Sequence, residues 1–241
     1  MEENNVILIP AHNEGNVKRY RYDRLGKLVD RKSHRFEYLR RTIQEIRKAR
    51  FTGRIIVVND GSTDNTAQIA IEEGAEVINL EKRTGKAQAI FYGLARVARS
   101  NPTSVLIMDA DLEQPFSSNY KEDLGNLIRA ANSATKEGRI LQVIANVHEL
   151  TKPWALTSES GIRCFSRSGL AELVKAKKDF VREFQLEEYL NRFFEHHTET
   201  IWTRLKFRPP WQTSTAVKYQ GKKSASISAK AKIRPIPRHK K

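Results

Sequence analysis

Asp109 and Asp111 stand two residues apart at the end of the apolar run in "VLIMDADLEQP" (Val105–Pro115), and Glu113 follows two further on. In an extended chain, residues i and i+2 face the same side, so the two aspartates can converge. Carboxylates that close repel unless a cation lies between them. Oxygen-only donors suit Mg²⁺ or Mn²⁺, which keep part of their water shell and bind substrate phosphates. The bland alternative is a solvated loop with a helix-capping Asp, since a bare pair of acids at this spacing is common. The preceding apolar run favours the metal.

Two further groups share that setting. In "VVNDGSTDNT", Asp60 ends a second apolar run and Gly61 permits a tight turn. A carboxylate there can accept hydrogen bonds from a nucleobase N–H, or it can simply cap the following helix. In "EKRTGKAQAIFYG", Gly85 opens a helix and Lys86 falls in its first turn. A cation is locally unfavourable at a helix N-terminus, which suggests an anionic partner such as phosphate. A solvated lysine is the ordinary alternative.

The elements that must position these groups follow from the patterning. "VILIP", "RIIVVND", "EVINLE", "SVLIMDAD" and "ILQVIANVHEL" are predicted strands. Between them, "YLRRTIQEIRKA" carries Leu39, Ile43 and Ile46 on one helical face, and "GKAQAIFYGLARVA" carries Ala87, Ile90, Leu94 and Val97. Thr63 or Asp64 can cap the helix in "TAQIAIEEGA", with Gly74 as its stop. "YKEDLGNLIRAANSA" is another helix. Near-continuous apolar strands alternating with helices predict an α/β fold, with a mostly parallel sheet covered on both faces. Such sheets bind ligands at the carboxyl ends of their strands, where His12–Glu14, Asp60 and Asp109–Glu113 fall.

The chain has 241 residues and 39% hydrophobic content, enough for one domain, expected over residues 1–220. Two basic segments break the rhythm. Residues 15–38 look like an insertion, with Lys18, Arg19, Arg21, Arg24, Lys27, Arg31, Lys32 and Arg35 against Asp23, Asp30 and Glu37. Residues 221–241 form an acid-free tail with eight Lys or Arg, expected to be disordered. A net charge of +15 points to anionic partners: nucleic acid, lipid headgroups or phosphorylated substrates. One cysteine excludes a disulfide framework and a Cys-based zinc site. With no signal sequence and no membrane span, the expected location is cytoplasmic, with at most peripheral membrane contact.

"VILIPAHNE", "IIVVNDGSTDNT", "RTGKAQAIFYGL" and "VLIMDADLEQP", in this order, resemble the family 2 glycosyltransferases of the GT-A fold. The resemblance implies that Pro10, His12 and Glu14 lie around the nucleobase and ribose of a UDP- or GDP-sugar, with Asp60 bonding the base. It implies Gly85 and Lys86 near the donor diphosphate. Asp109 and Asp111 would grip that diphosphate through Mg²⁺ or Mn²⁺. "TSESGIRCFSR" and "EFQLEEYLNR" are similar to segments of polyprenyl-phosphate sugar synthases such as dolichol-phosphate mannose synthase. In that subgroup a Gln joins the metal where this chain has Glu113, which still supplies oxygen. The subgroup makes Arg163 and Arg167 candidates for an acceptor phosphate. A hydroxyl acceptor would instead require a general base, which the family places near Glu187 and Glu188. One of those two is expected on a solvated helix face, above a buried face of Leu186, Leu190, Phe193 and Phe194.

Other residues have ordinary readings. His196 and His197 suit a helix C-terminus. Cys164 reads as a core thiol, and Trp154, Trp202 and Trp211 as packing residues. The basic segments can be drawn to anionic lipid, and the aromatics of the insertion could dip into an interface or fold over the nucleotide. The leading expectation is metal-dependent, inverting sugar transfer, with polyprenyl phosphate slightly favoured over a saccharide acceptor. A nucleic-acid-binding protein is the different-class alternative, weakened because no nucleic-acid motif or stacking platform is visible. A nucleotidyltransferase would need a Gly-rich basic loop where this chain has "AHNEG".

Overall fold

The computed structural model describes residues 4–15, 17–22, 28–110, 120–147, 162–176, 186–197 and 199–205. Within it, 17–22, 28–36, 120–123, 144–147, Glu188, 195–197 and 199–205 are described by backbone alone.

Seven strands form the main sheet in the order β5 (Glu76–Leu80), β4 (Arg54–Asp60), β1 (Asn5–Ala11), β6 (Ser104–Ile107), β8 (Arg163–Ser166), β7 (Leu141–Val147) and β9 (Glu199–Leu205). Pairing is parallel for β1 with β4 and β6, for β4 with β5, and for β7 with β9. Only β8 runs the other way, antiparallel to β6 and β7. The expected mostly parallel sheet is therefore present. β8 and β9 were not among the expected strands: β8 is only four residues long, and β9 mixes charged with apolar residues.

Successive residues of the central strands enter opposite cores. Ile7, Ile9, Ile55, Val57, Leu106 and Met108 pack under α1 (Tyr38–Lys48), α2 (Thr66–Glu72) and α4 (Tyr120–Lys136). Val6, Leu8, Ile56, Val58, Val105 and Ile107 pack under α3 (Lys86–Ala98), α5 (Arg167–Lys175) and α6 (Leu186–His197). Covering on both faces is why these strands read as unbroken apolar runs. The faces expected to be buried on α1, α3 and α6 are buried. Gly93 lets α3 lie close, since a Cβ there would come 2.7 Å from Val58 Cγ2 and 2.9 Å from both Leu8 δ carbons.

Two departures from the expectation bear on the site. The insertion contains a separate antiparallel hairpin, β2 (Val17–Tyr22) with β3 (Leu28–Phe36). And β6 ends at Ile107, short of the aspartates, with a turn at Ala110 whose carbonyl accepts from Thr42 Oγ1 at 2.9 Å. The backbone thus turns at Ala110, directly after Asp109. The 221–241 tail, Trp154 and Trp211 lie outside the described residues.

Candidate active site

β1 leads through α1 to β4 on one side, and β5 leads through α3 to β6 on the other. The sheet order therefore reverses beside β1, and a reversal of this kind opens a crevice at the carboxyl ends of the strands. Pro10 lies at that end of β1. Leu8 accepts from Met108 N, so its alternate neighbour Pro10 also directs its backbone toward β6. β6 has ended by that level, so no ladder partner loses a donor and proline is tolerated.

The loop after β1 is tied to the loop after β4. His12 Nδ1 meets the Asp60 carbonyl at 2.7 Å. A carbonyl only accepts, so Nδ1 carries the proton; in the neutral ring Nε2 then accepts from Asn13 Nδ2 at 3.3 Å. Asn13 tolerates its φ of 55° and receives Thr63 N at 2.8 Å. Glu14 N and Gly15 N donate to Thr66 Oγ1, and Gly15 N also to Asp64 Oδ2. Asp64 takes Thr66 N as well, so it acts as the expected cap one residue before the geometric N-cap, Asn65. Gly15 is required: a Cβ would come 2.7 Å from Thr66 N.

Asp60 is 3% exposed, and its carboxylate turns inward. Oδ1 accepts from Thr84 N at 2.7 Å and Thr84 Oγ1 at 2.8 Å, and Oδ2 from Gly85 N at 2.8 Å. In this arrangement it shapes the turn into α3 instead of presenting itself to a base. Gly85 makes that turn at φ 95°. Thr84 was not singled out in the sequence, although its place just before Gly-Lys marks it as part of the turn.

Lys86 is thereby aimed into the crevice. Nζ lies 2.8 Å from Asp109 Oδ1 and 3.4 Å from Glu187 Oε1. Its anionic partners here are two side chains from distant elements. Burial opposes the ammonium, but the charges of Asp109 and Glu187 outweigh it and hold its pKa above the ordinary lysine value. Glu187 reaches this point because Leu186, Leu190, Phe193 and Phe194 bury α6 on the sheet.

The two arginines separate. Arg163 stands opposite Ile107 and is 1% exposed, with Nη1 donating to Gln142 Oε1 at 3.0 Å and Asn191 Oδ1 at 2.7 Å. Burial pulls its guanidinium down to about 10, against the charge of Glu187. Asn191 lies four residues beyond Glu187, on the same helical side, so Arg163 ties the helix that carries Glu187 to the sheet. Arg167 goes elsewhere. β8 runs antiparallel, so Arg167 lies past Ser104, at the amino end of β6, where Nε donates to the Pro102 carbonyl at 3.0 Å. That opposite end of the sheet places it away from the crevice, which corrects the expectation of an acceptor grip. Cys164 is a buried core thiol, pushed up to about 12 by desolvation.

Asp109 is the described member of the expected metal set, with a 30% exposed side chain at the crevice. Asp111 and Glu113 lie outside the described residues, and Glu188 is placed on α6 by backbone only. Among the described residues no three His, Cys, Asp or Glu side chains cluster as metal ligands.

A family model described as glycosyl transferase family 2 matches residues 33–132, from the end of β3 through most of α4. Over that stretch the chain is similar to family 2 glycosyltransferases. It is also 29% identical over 141 residues to a dolichyl-phosphate beta-glucosyltransferase of Trichomonas vaginalis, covering 56% of this chain and 37% of that relative. The chain thus spans little more than a third of that curated relative's length. Among solved structures the fold resembles glucosyl-3-phosphoglycerate synthase from Mycobacterium tuberculosis in complex with phosphoglyceric acid. That match has a TM-score of 0.60 at 20% identity, over 88% of this chain and 72% of the other. The same enzyme in complex with Mn²⁺, UDP-glucose and phosphoglyceric acid matches with a TM-score of 0.57 at 20% identity, over 90% and 76%. At these identities the structures establish a shared GT-A architecture.

Proposed function

We propose that this protein transfers a sugar from a nucleotide-sugar to an acceptor, dependent on a divalent metal and with inversion at the anomeric carbon. The observation that carries this is the convergence of Lys86 with Asp109 at the mouth of the β1 crevice, within the stretch similar to family 2 glycosyltransferases. The fold neighbour's complexes with UDP, UDP-glucose, Mn²⁺ and Mg²⁺ support a uridine nucleotide and those metals.

Asp109 fits a hard cation: it is an oxygen donor, half-exposed at the carboxyl end of β6. With Asp111 and Glu113 it would hold Mg²⁺ or Mn²⁺. A metal bound there neutralises charge on the departing nucleoside diphosphate. Lys86 then turns its ammonium to that diphosphate, adding a second positive group where negative charge develops. The Pro10–Glu14 loop bounds the nucleoside end. Asp60 serves by fixing Thr84 and Gly85, and so the aim of Lys86.

Polyprenyl phosphate is the proposed acceptor, supported by the dolichyl-phosphate relative. A phosphate monoester is already anionic at pH 7 and needs no general base. Glu187 then holds Lys86 in place, as Arg163 holds the helix bearing Glu187. A saccharide acceptor would instead give Glu187 the attacking hydroxyl's proton. The test supplies labelled UDP-glucose or GDP-mannose with a polyprenyl phosphate and Mn²⁺, and counts label in the organic phase. Label there, abolished by EDTA, supports the reading. Label that stays in water as free sugar, with every donor, removes the lipid acceptor.

A further inference from the structure

We propose that the β2–β3 hairpin is a docking arm for an anionic lipid surface, placed so that the donor crevice opens beside the bound membrane. The choice of surface rests on the lipid-acceptor reading above; the arm itself rests on its own observations.

The first is its construction. Among the described elements, β2 and β3 pack extensively only on each other. A two-stranded ribbon with no layer behind it is marginal in water. Its register adds to the difficulty: Lys18 stands opposite Arg35 and Arg19 opposite His34, and only Arg21 has an acid, Asp30, across from it. Like charges directly opposite disfavour the pairing. Within β2 and β3 there are six Lys or Arg against Asp30 alone. A ribbon of this kind gains most from an anionic surface that neutralises both strands together.

The second is its footing. Before β2, Gly15 N is held by Asp64 and Thr66. After β3, Tyr38 and Leu39 are buried in the core of α1. Both ends are therefore fixed to the domain at the carboxyl edge of the sheet, on the rim of the crevice.

A duplex groove could also accept a basic ribbon. Lipid is favoured for two reasons. The arm stands on the rim where a lipid-borne acceptor must enter. Its strands also carry Tyr20, Tyr22 and Phe36, residue types that settle at membrane interfaces.

The test compares the full chain with its K18Q/R19Q/R35Q variant in sedimentation with phosphatidylglycerol vesicles, phosphatidylcholine vesicles and duplex DNA, at one salt concentration. Each basic residue near an anionic surface contributes several-fold to partitioning, so three together give a loss on the order of 10- to 100-fold. The expected result is that loss on phosphatidylglycerol, weak binding of both proteins to phosphatidylcholine, and unchanged UDP-glucose binding. Equal binding of both proteins to phosphatidylglycerol would overturn the arm and leave the basic tail as the anchor. Tighter binding to DNA than to vesicles, lost in the variant, would overturn lipid as the partner. UDP-glucose binding is read separately, so a failure of the donor reading leaves the vesicle result to stand by itself.

Discussion

Replacing Asp60 with Asn separates a structural carboxylate from one that only awaits a base. In the folded protein its oxygens accept three hydrogen bonds, from Thr84 N, Thr84 Oγ1 and Gly85 N, at 2.7–2.8 Å. Asparagine can keep an oxygen toward Thr84, but its amide nitrogen then faces Gly85 N, donor against donor. The two surviving bonds lose their charge, at roughly 1 kcal/mol each, and one buried donor is left unmet at about 1–3 kcal/mol. The sum is about 3–5 kcal/mol. For a domain of this size that lowers Tm by roughly 6–20 °C. Thermal unfolding followed by circular dichroism reads it directly. UDP binding should also weaken, because the turn that aims Lys86 loosens. A D60N protein with Tm within 2 °C of the parent, but with weakened UDP binding, would refute the structural role and return Asp60 to direct contact with the base.

Further outcomes follow from the same geometry. Lys86→Met should lower kcat/KM by on the order of 10²-fold, since it removes a donor aimed at developing charge; steady-state kinetics with Mn²⁺ checks it. Lys86 has a raised pKa, so its contribution to stability is complete below the unfolded lysine value of about 10.4 and is lost only as pH rises through the higher folded value. It should therefore resist amine acylation at pH 10 in the parent and react faster in Glu187→Gln. Cys164 ionises near 12 when folded and near 8.5 when unfolded, so its share of stability is complete below about 8.5 and declines as pH rises above it. Native protein at pH 8 should leave this thiol unalkylated by iodoacetamide, and urea should expose it. Arg167→Gln should leave the acceptor KM within about twofold, whereas Arg163→Met should lower kcat by displacing α6; equal effects on acceptor KM would contradict their placement at opposite ends of β6.

The sheet was legible because each buried strand sends alternate residues into two cores, giving runs such as Val6–Ile9 and Ile55–Val58 their unbroken apolar character. Helices were legible where one face repeats, as at Leu39, Ile43 and Ile46. The hairpin was not, because its strands are charged and lack the apolar alternation that marks a half-buried strand. The positions of Asp60, Lys86 and Asp109 at strand ends could be read, but their partners could not. Nothing local to Asp60 shows that it faces Thr84, 24 residues on. Likewise, Lys86 and Glu187 meet across 101 residues only because α6 packs beside α3. Arg163 and Arg167 looked equivalent in one motif; an antiparallel strand four residues long carries them to opposite ends of the sheet.

In the proposed mechanism a divalent metal and Asp109 together hold a nucleotide-sugar in the β1 crevice. Isothermal titration of UDP-glucose and GDP-mannose into the parent and Asp109→Asn proteins, each with Mn²⁺ and with EDTA, tests it most directly. One donor should bind the parent with Mn²⁺, and its binding should drop by about tenfold or more in EDTA and in Asp109→Asn. Binding that is indifferent to Mn²⁺ and to Asp109 would contradict it.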